Sequence, residues 1–152
     1  MQCSQNATFF GSEPESVGER IRGESIANRL SSHFAQQGWA VDTTDVWRDA
    51  GFYFSMTRSR ESVQLIVAPY HGAPDRWILQ IAPLHPRMIA RWFGFKVSAT
   101  PVCIFNAAIE TQRILSDNGF TNFQWCWDEF AEGGHCHAQP PPPVDLNVPS
   151  PR

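Results

Sequence analysis

The chain is short of lysine and of any run of like charge. Eleven of its 12 basic residues are arginine, leaving Lys96 as the single lysine, and 15 acidic residues bring the formal net charge to −3. No global positive field therefore points to nucleic acid as a partner. There is no CxxC; Cys3, Cys103, Cys126 and Cys136 lie far apart in sequence or beside unrelated residue types. That excludes the dense disulfide framework of small secreted domains. The start, Met1-Gln2-Cys3-Ser4-Gln5-Asn6, has no basic stretch leading into an apolar one, so no secretory signal is expected. A spanning helix needs about 20 mostly apolar residues, and the most apolar region, 92–109, is broken by Lys96, Pro101 and Asn106. The expectation is a cytoplasmic protein with reduced thiols and no membrane contact. Glycines such as Gly51, Gly72, Gly94 and Gly119 stand alone, so there is no phosphate-cradling loop, and GxSxG, HExxH and EF-hand patterns are missing.

What is present is the composition of a folded protein: 42% hydrophobic and 12% aromatic residues in a chain of 152, enough for one ordinary domain and its core. The expected division is a single α+β domain over 1–132. Beyond it, Gly133-Gly134, the prolines at 140–143 and Pro151 suggest a disordered, Pro-rich tail over 133–152.

Ser12-Glu13-Pro14-Glu15 has the form of a capping box, and Ser16-Val17-Gly18-Glu19 offers a second start one turn later. Val17, Ile21, Ile26, Ala27, Leu30 and Phe34 fall near one face of the helix that would follow, with Glu19, Arg22, Arg29, Ser32 and Gln36 opposite. Gly38 is placed to end it. Ala7-Thr8-Phe9-Phe10 reads as a short first strand. Three further stretches alternate with period two: Phe52, Phe54, Met56; Val63, Leu65, Val67; and Trp77, Leu79, Ile81. Their connections are too short for helical crossovers, which predicts an antiparallel meander. Residues 40–44 and the region of Trp47 add a less regular edge strand. Thr100-Pro101 opens a second helix with Phe105, Ala108, Ile109 and Leu115 as its buried stripe, and Phe123, Trp125 and Trp127 share one face of a last strand. The expected order is β-α-β-β-β-β-α-β, a two-layer α+β sandwich with an antiparallel sheet and its two main helices on one face.

Among side chains that could carry chemistry, His135-Cys136-His137 with Cys126 upstream has the ligand types of a zinc or copper site. Neighbours in sequence do not readily point at one ion, so no metal and no cofactor are expected. Cys126 lies between Trp125 and Trp127 in a strand pattern, a packing position and not that of a nucleophile. Asp128 and Glu129, and Asp42 and Asp45, read as solvated edges, and His33 as a favourable charge near a helix end. The segment 87–96 interleaves Arg87, Arg91 and Lys96 with Trp92, Phe93 and Phe95, a mixture found at the energetic centres of protein interfaces. The functional expectation is a non-catalytic protein-interaction module, of the kind represented by bacterial immunity proteins and secretion chaperones, contacting its partner through Arg87, Arg91, Trp92, Phe93, Phe95 and Lys96. Two alternatives stand beside it. One is a small enzyme or metal protein using Cys126, His135 and His137 with Asp128 or Glu129. The other is a small-ligand sensor with Tyr53, Gln64 and Gln80 lining an open sheet face.

Overall fold

A computed structural model describes residues 3–13, 21–84, 97–130 and 136–144. The chain is α+β. Its elements are β1 (Gln5–Phe10), α1 (Glu24–Gln36), β2 (Ala40–Val41), β3 (Asp45–Trp47), β4 (Gly51–Arg58), β5 (Glu61–Pro69), β6 (Arg76–Pro83), β7 (Val97–Ser98), a helix at Pro101–Asp117, called α2 here, and β8 (Thr121–Trp127). The strands form one sheet in the order β2-β4-β5-β6-β1-β8; β3 also borders β4, and β7 borders β5. Every pairing is antiparallel except that of β5 with β7.

The β4-β5-β6 meander is the one the alternation predicts, with Phe54 opposite Leu65 and Leu65 opposite Ile81. The described order is richer than expected: the irregular edge is two short strands, β2 and β3, and β7 is an added piece. Gly51 is required where β4 meets β5, since a Cβ there would lie 2.3 Å from the Val67 carbonyl oxygen.

Helix α1 begins later than the capping-box patterns suggest. Ser12 and Glu13 are not helical; Gly23 is the cap residue and supplies no side chain. Instead the Glu13 carboxylate accepts from the Gly23 N–H at 2.9 Å and the Ser25 N–H at 3.0 Å, meeting open donors at the positive end of the helix dipole. The other end follows the expectation: Gly38 takes φ 90, and the Trp39 N–H returns to the Phe34 carbonyl at 3.1 Å. Helix α2 opens on Thr100, whose hydroxyl accepts from the Cys103 N–H, with Pro101 next. Its buried side chains are Ile104, Ala107, Ala108, Thr111, Ile114 and Leu115. Of the expected stripe, Ala108 and Leu115 are buried, whereas Phe105 is half-buried and Ile109 is 39% exposed, with Ile104 and Ala107 buried instead.

One core takes Ile26, Ala27, Leu30 and Phe34 of α1, the buried side chains of α2, and Ala7, Phe9, Phe54, Met56, Leu65, Trp77, Leu79, Ile81 and Trp125 of the sheet. Phe9 stacks on Phe123 and meets Phe120 edge-on at centroid distances of 5.6 and 5.4 Å. The two fully buried indoles among the described residues keep their N–H groups bonded, Trp77 to the Gly11 carbonyl and Trp125 to the Gln112 side-chain oxygen.

The expected disordered tail is different where it is described. Trp125 and His137 exchange two backbone hydrogen bonds of 2.8 and 3.0 Å. The Pro141 carbonyl accepts from Gln5 Nε2 at 2.7 Å and Trp127 Nε1 at 3.0 Å, and Pro140 is buried. Proline lacks a donor but keeps its acceptor, and two side chains at the edge of the core need one.

Candidate functional site

An open groove with a volume of about 690 Å³ runs between the approach to α1, the β3–β4 turn and the β5–β6 turn. Such a volume is in the range of small-molecule or side-chain recognition sites. Its lining includes Ile21, Arg22, Asp49, Pro69, Tyr70 and His71.

Each wall has a local cause. Residues 21–23 precede the helix, and Glu13 anchors their end through the Gly23 N–H. Arg22 lies over the buried Trp77, its guanidinium carbon 4.9 Å from the ring centroid. Such a cation–π contact is worth about 0.5–2 kcal/mol. Among the described residues none is shown hydrogen-bonded or ion-paired with Arg22. The second wall is the β3–β4 turn, where Arg48 and Asp49 both take positive φ, 48 and 54, and Ala50 N–H bonds the Trp47 carbonyl. Two such non-glycine residues in succession cost about 1 kcal/mol or more each. The third is the β5–β6 turn, closed by Tyr70 N–H to the Arg76 carbonyl at 2.8 Å. There the Arg76 guanidinium lies between Tyr70 and Phe10, at 4.1 and 5.6 Å from their centroids, and its Nε is buried without a partner.

The residues that sequence reasoning singled out fare unevenly. Arg87, Arg91, Trp92, Phe93, Phe95, Lys96 and His135 lie outside the described residues. Cys126 and Cys136 are brought together beside the Trp125–His137 bridge, whereas His137, next along an extended segment, points to the other side. No three His, Cys, Asp or Glu side chains among the described residues gather closely enough to hold a metal ion. Asp128 is exposed, as expected, but lies just past β8 at φ 60, and its carboxylate accepts from the Cys3 N–H at 2.6 Å and the Ser4 N–H at 2.9 Å. His33 is more than a helix-end charge, since its Nε2 meets Glu110 Oε1 of α2 at 2.7 Å. Arg113 joins the same carboxylate at 2.6 Å. These bonds, Arg113 first, hold the Glu110 carboxyl down at about 2. Burial pushes the Cys103 thiol up to about 11, with Glu61 adding to it.

The face of the sheet turned away from the core carries Tyr53 and Gln80 on either side of Ile66, with Gln64 one step along β5. On β1, Asn6 Oδ1 and Thr8 Oγ1 are buried without hydrogen-bond partners among the described residues.

Sequence reasoning missed Arg22, which it assigned to the polar face of a helix. The available signal was weak: an Arg beside a glycine ahead of an apolar periodicity, with Trp77 distant in sequence. Compared with known proteins, the chain matches no family model, no curated protein and no solved structure. No helix among the described residues is long and apolar enough to cross a membrane.

Proposed function

We propose that this chain is a cytoplasmic, non-catalytic protein-interaction module that captures a partner segment presenting a carboxylate to Arg22. The observation that carries this reading is the Arg22 guanidinium over the Trp77 ring in an open groove, without a hydrogen-bond or ion-pair partner among the described residues. Arg held over an aromatic ring offers planar donors that match a carboxylate in two parallel bonds, and little freedom is lost when they form. The surrounding Ile21, Pro69 and Tyr70 add apolar area of the kind that surrounds interface hot spots. Asp49 on the opposite wall favours a hydrogen-bond donor and rejects a second acid near it. On this reading the architecture is a two-layer sandwich with both helices on the core side, leaving the turn end of the sheet as the working edge. Arg87, Arg91, Trp92, Phe93, Phe95 and Lys96 belong to the proposal on their chemistry, as a second contact with the same partner.

The test is affinity capture from the native host, identification of the protein retained, and titration of that protein against wild type, Arg22→Ala, and the double variant Arg87→Ala with Arg91→Ala. Loss of one hot-spot residue costs about 2 kcal/mol or more, over tenfold in affinity. Unchanged affinity in a folded Arg22→Ala variant, or no partner at all, removes the groove from the reading.

A second reading, a small-ligand sensor, has support in Asn6 Oδ1 and Thr8 Oγ1 beside Gln80, buried and without a partner among the described residues. Buried polar atoms without partners are costly and are met in most proteins by water or ligand. A thermal-shift screen of small neutral polar compounds, repeated on Thr8→Val, separates the two: stabilisation of wild type and not of the variant favours the sensor.

A further inference from the structure

We propose that Cys126 and Cys136 are a disulfide-forming pair that, on oxidation by a small-molecule disulfide, locks the 136–144 segment onto β8. The geometry comes from the bridge beside them. Trp125 and His137 exchange both backbone hydrogen bonds, at 2.8 and 3.0 Å, in an antiparallel sense. In such a ladder the next pair is non-hydrogen-bonded, with its Cα atoms closest and its side chains on one face. That next pair is Cys126 opposite Cys136. Cα atoms at this spacing are within the range a disulfide spans without backbone movement.

Both cysteines are thiols and both are half-buried, so a small oxidant reaches them. The two side chains are already within hydrogen-bonding range of each other. Burial first, and then the neighbouring Cys136, push the Cys126 thiol up; the same bond forms whichever sulfur attacks first. With Cys136 as the attacking thiol, its thiolate displaces one thiolate from the small disulfide and forms a mixed disulfide. The Cys126 thiolate then attacks the Cys136 sulfur and expels the second. Two electrons pass from the protein to the small disulfide, and the two thiol protons end on the two released thiols. The new bond closes a loop over residues 127–135 and adds a covalent tie to a segment otherwise held by hydrogen bonds from Gln5, Gln112, Trp125 and Trp127.

Purified, reduced full-length chain incubated with glutathione disulfide tests this. The titratable thiols should fall from the four of the sequence to two. Glutamyl endopeptidase cuts after Glu129 and Glu132, between the two cysteines, and should leave the fragments carrying Cys126 and Cys136 joined until reductant is added. Amide exchange at Trp125 and His137 should slow by about tenfold or more. Cys3→Ser and Cys103→Ser should behave as wild type, while Cys126→Ser should stop at the mixed disulfide on Cys136. Four persistent thiols in folded wild type, a cross-link involving Cys3, or mixed disulfides that never resolve would each overturn the proposal.

Discussion

Glu13 is the side chain whose removal distinguishes most sharply between two starts for the first helix. Its carboxylate accepts at 2.9 and 3.0 Å from the N–H groups of Gly23 and Ser25, and the cap residue itself contributes no side-chain bond. Glu13→Ala leaves both donors to water at the positive end of a 13-residue helix. A lost N-cap costs about 1 kcal/mol, and a bond to a charged acceptor about 1.5–3 kcal/mol when its partner is left partly buried. Both figures describe loss of the same pair of bonds, so the cost expected is about 2 kcal/mol. Glu13→Gln keeps one acceptor oxygen and loses the charge, so about half of that is retained. With a urea m-value of about 2 kcal/mol/M for a domain of this size, the Glu13→Ala midpoint falls by about 1 M. Ser12→Ala is the control. A helix that started in the Ser12-Glu13-Pro14-Glu15 pattern would lose about 1 kcal/mol on that change, whereas the exposed, non-helical Ser12 should cost less than about 0.5 kcal/mol. A larger loss for Ser12→Ala than for Glu13→Ala in urea titrations refutes the capping argument.

Leu65→Ala and Leu79→Ala, at 0% and 1% exposure, should each lose about 2–5 kcal/mol in equilibrium unfolding; losses below about 1 kcal/mol in both would mean their sites collapse without a cavity. Truncation after Phe130 removes the Pro141 carbonyl that serves Gln5 and Trp127. It should lower the thermal midpoint by several degrees, about 1–3 kcal/mol, and an unchanged midpoint would show the segment contributes nothing to the core. For Glu110 the folded value is depressed to about 2 from 4.5. Its contribution is therefore complete above the unfolded value and is lost as pH falls from about 4.5 through about 2. The gap in urea midpoint between wild type and Glu110→Gln should close over that window, and a gap that widens on acidification contradicts the ion-pair assignment.

The meander was legible because β4, β5 and β6 each bury Phe54, Leu65 or Leu79 against one core, and a period of two survives in any such strand. The helix boundaries were not, and the reasons are non-local or subtle. A capping carboxylate ten positions upstream of the Gly23 N–H it serves leaves no mark within one turn. On α2 the eye goes to Phe105 and Ile109, but the buried side chains there include Ala107 and Thr111, the latter with its hydroxyl bonded back to the Ala107 carbonyl. Size is a poor guide to facing when small residues let a helix approach closely. The docked 136–144 segment was hidden for another reason: composition reports that proline has no N–H, and says nothing of where its carbonyl goes. Of the site, neither Arg22 nor its ring was visible as a pair, since Trp77 meets it only through the fold.

The placing of β1 between β6 and β8 has a consequence for how the molecule is made. Strand β1 leaves the ribosome before both neighbours and waits for one until residues 76–83 have been added and for the other until residues 121–127 have. Even its flanking contacts, Cys3 and Ser4 to Asp128, span 125 and 124 positions. Contacts this distant are entropically late, which slows folding relative to chains with local pairing. Throughout translation the Gln5–Phe10 strand is an unsatisfied edge bearing two phenylalanines, the kind of segment on which aggregation starts. Moving β1 behind the C-terminal segment by circular permutation would cut its separation from β8 from more than a hundred positions to about 30, and such a chain should refold faster than the natural one while reaching the same sheet.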